Sequence, residues 1–324
     1  MLRTVLVAVI VLIAGVVVLY MTGPRVPADT TITFDPASIG DDPVRYLAER
    51  EAGVPNLREG VEKEIVWADP QARSRTPLAI VYIHGFSASK GEVRPVPDMV
   101  AEAIGANVYY TRLSGHGQDG AAMGEATVNQ WVNDYAEAVA IGRLIGERVI
   151  VMATSTGAPL ATWGATQPAL SADVAGLVFI SPNFAVNDRG AFLLTMPWGG
   201  LIAELVVGKE RVLPSANELH DRYWTSTYPV AALLPMAATA RLGRETPVES
   251  ITIPALFIFS DADKVVRADV TRATAERWGA PIETMIVEGV AGSSNHVIAG
   301  DAFAPESNTL VAGRIEQWIS SLSQ

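Results

Sequence analysis

The most informative stretch of this chain is Ala153-Thr154-Ser155-Thr156-Gly157. These residues follow an apolar, β-branched run, Val149-Ile150-Val151-Met152, and they precede a helical pattern of small residues that begins at Ala158. A strand, a small-x-Ser-x-Gly turn and a helix are the context of a nucleophile elbow, in which a serine sits on a sharp, strained turn. Such a turn needs small flanking residues, and Gly157 meets that need fully, whereas Ala153 adds one methyl group. Ser155 is therefore the candidate nucleophile.

The composition indicates a large apolar core and excludes thiol chemistry. Of the 324 residues, 49% are hydrophobic, which is enough for one large α/β domain or two modest ones. The net charge is −11 and the 24 basic residues are scattered, which argues against a nucleic-acid partner. The absence of cysteine excludes disulfides, a thiolate nucleophile and thiolate metal sites.

The N-terminus carries an apolar segment. Val5 to Met21 include no charged or amide side chain, and a helix of that length reaches ~26 Å, near the lower limit for crossing a bilayer. A cleaved signal peptide is the competing interpretation, but its apolar core is usually shorter, about 7–15 residues. Leu19-Tyr20-Met21 also lacks a small-x-small cleavage site. We therefore predict a single N-terminal membrane anchor, with the rest of the chain outside the cytoplasm.

Beyond Glu62 the chain alternates between short β-branched runs and longer amphipathic ones. The predicted strands are Glu64–Ala68, Leu78–His84, Asn107–Arg112, Arg148–Ala153, Gly176–Ser181, Ala255–Ser260 and Glu283–Val287. The predicted helices are Val93–Ile104, Thr127–Ile145, Ala158–Gln167, Ala268–Trp278 and Ser307–Ser321. Several strands are apolar almost throughout, as central parallel strands covered on both faces are. This alternation predicts an α/β fold with a doubly wound, mostly parallel sheet.

One connection is far longer than a helical crossover requires. About 70 residues separate the strand ending at Ser181 from the one starting at Ala255. This stretch is rich in Trp, Leu, Met and Tyr, which predicts an inserted helical cap over the site, and Trp198 and Trp224 are its candidate substrate-binding residues. The predicted organisation is an anchor or signal at 1–22, a tether at 23–60, a core at 61–183 and 251–324, and the cap at 184–250.

Candidate catalytic groups follow the predicted strands. In parallel α/β sheets, ligands gather at the carboxyl ends of strands. Asp261 and Asp263 follow the strand ending at Ser260, and Gly292-Ser293-Ser294-Asn295-His296 follows the last strand. A serine hydroxyl needs a base such as histidine, and a carboxylate orients that base. Of the four histidines, His296 alone stands after the acid in a strand-end loop. Asp263, three residues beyond the strand, is the preferred acid, and Asp261 is the alternative.

The turn His84-Gly85-Phe86 follows the predicted strand Leu78–His84. An oxyanion hole needs two backbone N–H groups aimed at one point without side chains that block the approach, and Gly85 permits such a turn. We assign the two donors to the amides of Phe86 and Thr156. His84 and Gly85 are expected to border the bound substrate.

These motifs together resemble a known superfamily. His84-Gly85-Phe86, Arg112-Leu113-Ser114-Gly115-His116-Gly117, Ala153-Thr154-Ser155-Thr156-Gly157, Asp261-Ala262-Asp263-Lys264-Val265-Val266 and Asn295-His296-Val297-Ile298 are similar to the serial motifs of α/β-hydrolases. Within that superfamily the chain resembles bacterial carboxylesterases and monoacylglycerol lipase or lysophospholipase-like serine hydrolases. The resemblance implies Ser155 as nucleophile, Asp263 as acid, His296 as base, and a structural role for His116.

The predicted function is a membrane-tethered serine hydrolase that cleaves lipid-like carboxylic esters through an acyl-enzyme. It requires no cofactor and no metal, because no two histidines have ligand spacing. Two alternatives remain open. The same site could hydrolyse a C–C, thioester or amide bond, since function lives in the site and not the fold. The chain could also be a non-catalytic binding protein on a hydrolase frame.

Overall fold

The computed structural model describes residues 2–289 and 294–322, so that Gly292 and Ser293 of the quoted histidine loop lie outside the described residues. The strands are β1 (Glu64–Val66), β2 (Thr76–Ile83), β3 (Asn107–Tyr110), β4 (Gly146–Thr154), β5 (Val174–Ile180), β6 (Glu210–Val212), β7 (Thr227–Pro229), β8 (Ala255–Phe259) and β9 (Ile282–Ile286). Seven of them form one sheet in the order β1-β3-β2-β4-β5-β8-β9, in which β1 alone pairs antiparallel. The predicted α/β class with a mostly parallel sheet is confirmed.

Helices cover both faces of this sheet, as a doubly wound fold requires. The helices in the described part of the chain are α1 (Leu2–Thr22), α2 (Pro43–Ala52), α3 (Val96–Ile104), α4 (Gly120–Glu125), α5 (Val128–Ile145), α6 (Gly157–Gly164), α7 (Pro168–Ser171), α8 (Gly199–Val207), α9 (Glu218–Tyr223), α10 (Leu233–Glu245), α11 (Ala268–Glu276) and α12 (Asn308–Ser321). One face of the sheet packs against α3 and α12, and the other packs against α5, α6 and part of α10.

The period of two along each strand explains why the strand sequences are apolar throughout. In β4, Val149 and Val151 point into the core on one face, whereas Ile150 and Met152 point into the core on the other. Successive side chains of a strand alternate between faces, so a strand buried on both sides needs an apolar residue at every position. The sheet therefore holds its strand ends, and the loops that follow them, on a rigid frame.

Residues 23–60, which we predicted to be a tether, pack against the core. Ile39 and Leu47 are buried, and the amides of Thr33 and Phe34 donate to the Asn133 side chain at 2.7 and 2.8 Å. The sequence did not predict these hydrogen bonds, because the acceptor Asn133 lies on α5, about 100 positions away. Parts of the segment thus pack against the core, and its assignment as a tether stays a prediction.

The segment between β5 and β8 is mostly helical, as predicted, and contains α8, α9 and α10. It also contains a small antiparallel ladder of β6 and β7, which the sequence did not indicate. Each of these two strands has only three residues, and both lie in a segment predicted to be helical, so no period of two was recognised there. Their pairing depends on contacts that form only after the segment has folded.

Candidate active site

Ser155 lies directly after β4 in a left-handed conformation, with φ of +48°. Such a backbone costs a residue with a side chain roughly 1–3 kcal/mol, and it persists only where surrounding contacts hold it. Here the Ser155 amide donates to Ile180 O at 3.0 Å, and the Ser155 carbonyl accepts from the amides of Ala158 and Asn183 at 3.1 and 3.0 Å. The turn thus holds the serine side chain above the carboxyl edge of the sheet.

Gly157 is required by close packing and not by an unusual φ. A Cβ at this position would come within 2.5 Å of Ile83 O and 2.9 Å of His84 O. The first turn of α6 therefore lies against the end of β2, next to the turn His84-Gly85-Phe86. Ala153, in contrast, is buried within β4, where its methyl group is part of the core.

Three side chains from distant parts of the chain meet at Ser155. His296 Nε2 lies 3.0 Å from Ser155 Oγ, and His296 Nδ1 lies 2.8 Å from Asp263 Oδ2. The second oxygen, Asp263 Oδ1, accepts from the amides of Val265 and Val266 at 2.7 and 2.9 Å. A carboxylate only accepts, so the imidazole donates through Nδ1 and leaves Nε2 free to accept the serine proton.

Asp261, the alternative acid, does not join this cluster. Its side chain is 58% exposed and pairs with Arg272 at 2.6 Å on the surface. The two aspartates are separated by one residue, yet only Asp263 is turned inward, where the following backbone amides hold it. The geometry therefore favours Asp263 as the partner of His296.

The turn after β2 lies against the serine. A Cβ at Gly85 would come within 2.8 Å of Ser155 Cβ, so only glycine allows this approach. Within the described residues, the amides of Phe86 and Thr156 donate no hydrogen bond to the protein. Unpaired backbone donors beside a nucleophile are what an oxyanion hole requires. Gly85 thus borders the serine, and its predicted contact with the substrate and the two donor roles stay proposals.

His84 supports the turn and has no surface left for a substrate, contrary to our prediction. Its ring is fully buried, Nδ1 donates to Gly85 O at 2.8 Å, and Nε2 accepts from the Leu113 amide at 3.0 Å. Burial lowers the pKa of His84 well below its usual range, so the ring is neutral. His116, whose ring lies 4.9 Å from that of His84, is buried as well, and burial lowers its pKa to about 4.

Glu92 is a buried residue beside the site that sequence reasoning missed. Its carboxylate accepts from the Gly85 amide at 2.6 Å and from the Tyr82 hydroxyl at 3.1 Å. Burial raises the pKa of Glu92 to about 7, and the Gly85 hydrogen bond and nearby His296 oppose this shift. The only sequence signal was a charged residue within a short connection to α3, which is normally read as surface.

The inserted segment covers the site through a few apolar contacts. The Tyr228 ring packs edge-on against the Phe86 ring, with centroids 5.3 Å apart. Met236 Sδ lies 3.4 Å from the side-chain nitrogen of Asn183. The backbone amide of Asn183 donates to the Ser155 carbonyl. The inserted segment therefore contacts residues that neighbour the serine.

Trp198 and Trp224, the two cap residues predicted to bind substrate, both make other contacts. Trp198 Nε1 donates to Leu19 O at 3.0 Å and its amide donates to Pro24 O at 2.9 Å, so it joins the cap to the end of α1. Trp224 is buried in a small cluster, with its ring 5.3 Å from that of Phe303. Trp224 is buried and Trp198 is half-buried. Aromatic composition alone could not distinguish residues that line a pocket from residues that join two parts of the chain.

Comparison with known proteins agrees with the fold. A family model described as the alpha/beta hydrolase family matches residues 80–305, which is more than half of the chain. The chain belongs to this family. The matched range of the α/β-hydrolase model includes Ser155, Asp263 and His296, and it spans the inserted segment.

Several proteins to which this α/β-hydrolase is similar are named as lipases or lipolytic enzymes. A thermostable monoacylglycerol lipase from Bacillus sp. (strain H-257) is 29% identical over 203 residues, which cover 61% of this chain and 76% of that enzyme. A metagenome-derived lipolytic enzyme has a similar structure, with a TM-score of 0.67, 20% identity, and coverage of 82% of this chain and 99% of that one. The monoglyceride lipase of Saccharomyces cerevisiae follows, with a TM-score of 0.60, 11% identity, and coverage of 81% and 91%. The family and these relatives support a hydrolase that acts on esters.

Proposed function

We propose that this protein is a serine hydrolase that cleaves carboxylic esters, with Ser155 as nucleophile, His296 as general base and Asp263 as the orienting acid. One observation carries the proposal. The three side chains form a continuous chain of contacts, 3.0 Å from serine to imidazole and 2.8 Å from imidazole to carboxylate. A binding protein has no need for this arrangement, whereas acyl transfer depends on it.

The reaction follows from the positions of these atoms. His296 Nε2 takes the Ser155 proton while Oγ attacks the ester carbonyl carbon, and the negative charge on the carbonyl oxygen is stabilised by the amides of Phe86 and Thr156. The tetrahedral intermediate collapses, the C–O bond breaks, and the alcohol leaves with the proton from His296. Water then attacks the acyl-enzyme in the same way, which releases the carboxylic acid and restores the serine.

The contacts around the serine favour an apolar acyl group. Phe86, Tyr228 and Leu233 lie in one cluster of the cap and the oxyanion turn, and Met236 lies beside Asn183. An apolar acyl chain gains about 0.8 kcal/mol for each CH₂ that is buried. We propose a lipid-like ester as the substrate class, in keeping with the monoacylglycerol lipase relative.

The first prediction tests this activity directly. The purified protein is expected to react with a fluorophosphonate probe at Ser155, with the site identified by peptide mass spectrometry. For p-nitrophenyl esters, kcat/KM is expected to rise at least about tenfold from acetate to octanoate, because the longer acyl chain is buried.

Matched substrates separate the alternatives. An anilide and a thioester with the same acyl group report on amide and thioester cleavage, and we expect the ester to be hydrolysed fastest. Faster hydrolysis of the anilide or the thioester would mean that the protein is an amide or thioester hydrolase and not an ester hydrolase. A protein that neither reacts with the probe nor turns over any of these substrates would be a binding protein on a hydrolase frame.

We also propose that α1 anchors the protein in a membrane, with the catalytic part outside the cytoplasm. Leu2–Thr22 has a mean hydropathy of 2.9 and is not buried against the protein. Its 21 residues reach ~32 Å as a helix, which is sufficient for a bilayer. A signal sequence has the same features, so the distinction is made by experiment. The remaining division into a core at 61–183 and 251–324 and a cap at 184–250 is part of this proposal.

The cap carries an exposed apolar surface next to this helix. Outside α1, most of the exposed large apolar side chains in the described part of the chain lie between residues 192 and 212: Phe192, Leu201, Leu205, Val206, Val207 and Val212. Clustered apolar exposure marks an interaction surface. Trp198 links α8 directly to the end of α1, and a methyl group at Gly23 would come within 2.2 Å of Trp198 Nε1. We therefore propose that the cap faces lipid.

The second prediction concerns the anchor. In bacterial cells that produce the full chain, the protein is expected to stay in the membrane pellet after an alkaline carbonate wash and to retain its N-terminal peptide. Protease added to spheroplasts is expected to digest the catalytic part, because that part faces outward. A soluble product that starts after about residue 25 would contradict the anchor and identify a cleaved signal.

A further inference from the structure

Glu92 is a buried carboxylate that the proposed reaction does not use. It is 2% exposed and lies in the connection between β2 and α3. A buried charge is unfavourable unless polar groups compensate it. Here the compensating groups are the Gly85 amide, 2.6 Å from Glu92 Oε2, and the Tyr82 hydroxyl, 3.1 Å from the same oxygen. The best donor to Glu92 therefore belongs to the turn that carries Phe86.

Gly85 lies between the Glu92 carboxylate and Ser155. A Cβ at Gly85 would come within 2.6 Å of Glu92 Oε1 and within 2.8 Å of Ser155 Cβ. The hydrogen bond to the Gly85 amide restricts rotation of the peptide that joins His84 to Gly85. The next amide along the chain is that of Phe86. The direction of the Phe86 N–H bond therefore depends on the position in which Glu92 holds the Gly85 amide.

Glu92 is also connected to the strand and loop that carry the other groups. The Tyr82 hydroxyl lies 3.1 Å from Thr154 Oγ1, and Thr154 immediately precedes Ser155. On the other side, a Cβ at Gly300, in the loop after His296, would come within 2.7 Å of Glu92 O. The segment around Glu92 therefore contacts the oxyanion turn, the nucleophile strand and the histidine loop.

Burial raises the pKa of Glu92 and explains why it can change its protonation state. Its basic neighbours Lys90 and Arg94 bind Glu64, at 2.8 and 3.0 Å, and in the described residues Glu92 forms no ion pair. The titratable groups that face it are Tyr82 and His296. Glu92 loses its proton as the pH rises through about 7. The ionised form accepts the Gly85 hydrogen bond more strongly and places negative charge near the imidazole.

We propose that Glu92 is a positioning residue of the active site, whose carboxylate holds the Gly85 peptide so that the Phe86 amide faces the substrate carbonyl oxygen. This inference rests on the proposed ester hydrolase function. Glu92 acts through the turn and touches neither the substrate nor the reacting atoms.

The third prediction compares two substitutions in the full chain. E92A removes the acceptor for the Gly85 amide, and we expect kcat for p-nitrophenyl butyrate to fall about 10–100-fold with KM within about twofold. The Ki of a trifluoromethyl ketone, which forms an oxyanion on the serine, is expected to rise by a similar factor. E92Q keeps an oxygen that accepts from Gly85, so its kcat at pH 8 is expected to stay within about fivefold of the wild type.

The pH dependence separates positioning from simple loss of packing. We expect the ratio of wild-type to E92Q kcat to increase several-fold between pH 5.5 and 8.5, because only the wild type ionises at this position. Ionisations that both enzymes share cancel in the ratio. E64Q is the matched control, since it removes the Glu64 partner of Lys90 and Arg94, which lie in the same loop as Glu92, and leaves Gly85 untouched. We expect its kcat within about twofold of the wild type.

Unchanged kcat and inhibitor Ki in E92A, at an unchanged thermal midpoint, would overturn the proposal. If E92A is too unstable to assay, the ratio of wild-type to E92Q kcat tests the proposal instead. A ratio that stays constant between pH 5.5 and 8.5 would overturn it. Failure of the wild type to hydrolyse any ester or to react with a fluorophosphonate would instead refute the proposed function.

Discussion

S155A is expected to lower kcat for p-nitrophenyl ester hydrolysis by about 10⁵–10⁶-fold, with KM within a few-fold of the wild type. The reason is that Ser155 Oγ is the atom placed to receive the acyl group, 3.0 Å from the base. Alanine keeps the buried turn and removes only the hydroxyl, so substrate binding survives. A steady-state assay and fluorophosphonate labelling measure both consequences.

The matched control for this variant is S181A. Ser181 is buried, has a φ of +46° and follows β5, the strand next to β4, so it occupies an equivalent turn. Within the described residues its hydroxyl has no hydrogen-bond partner. We expect S181A to retain kcat within about twofold, because no reacting group depends on it. More than about 1% of wild-type kcat in S155A would show that another nucleophile carries the reaction.

D263N is expected to lower kcat by about 10³–10⁴-fold, whereas D261N is expected to stay within about twofold of the wild type. The introduced amide would keep its oxygen on the backbone N–H groups of Val265 and Val266, since these bonds at 2.7 and 2.9 Å need an acceptor. Its NH₂ group would then face His296 Nδ1. The imidazole would have to accept at Nδ1 and carry its proton on Nε2, where it could no longer take the serine proton.

The comparison of these two variants decides which aspartate is the acid. They lie two positions apart, they have the same charge, and both follow β8. Kinetics on both purified proteins, with their thermal midpoints as a check on folding, distinguish them. Equal losses of kcat, or a larger loss in D261N, would contradict the assignment of Asp263.

Much of the fold was predictable because its signals are local. The seven predicted strands all occur, and each end lies within two residues of the prediction. A strand buried on both faces must be apolar at every position. A run such as Leu256-Phe257-Ile258-Phe259 can therefore be recognised as a buried strand from the sequence. The nucleophile elbow could also be recognised from the sequence, because its sharp turn restricts the residues around Ser155 to small ones.

The errors and omissions have a common cause. His84, Trp198 and Trp224 were predicted to bind substrate from their residue types and positions, but their partners are Leu113, Leu19 and Phe303, which are far away in sequence. Glu92 was omitted because a charged residue in a short connection is usually solvated. Its burial depends on the packing of three separate loops, which no local pattern records.

The amino-acid order by itself determined the α/β architecture, the turn that carries Ser155 and the succession of serine, acid and histidine. These features depend on backbone conformation and hydrophobic periodicity, which act over a few residues. Tertiary structure alone decided which aspartate turns inward, which aromatic rings meet the N-terminal helix, and that Glu92 lies beneath the Gly85 turn. Those outcomes depend on distances between side chains that approach only when the sheet has brought its strand ends together.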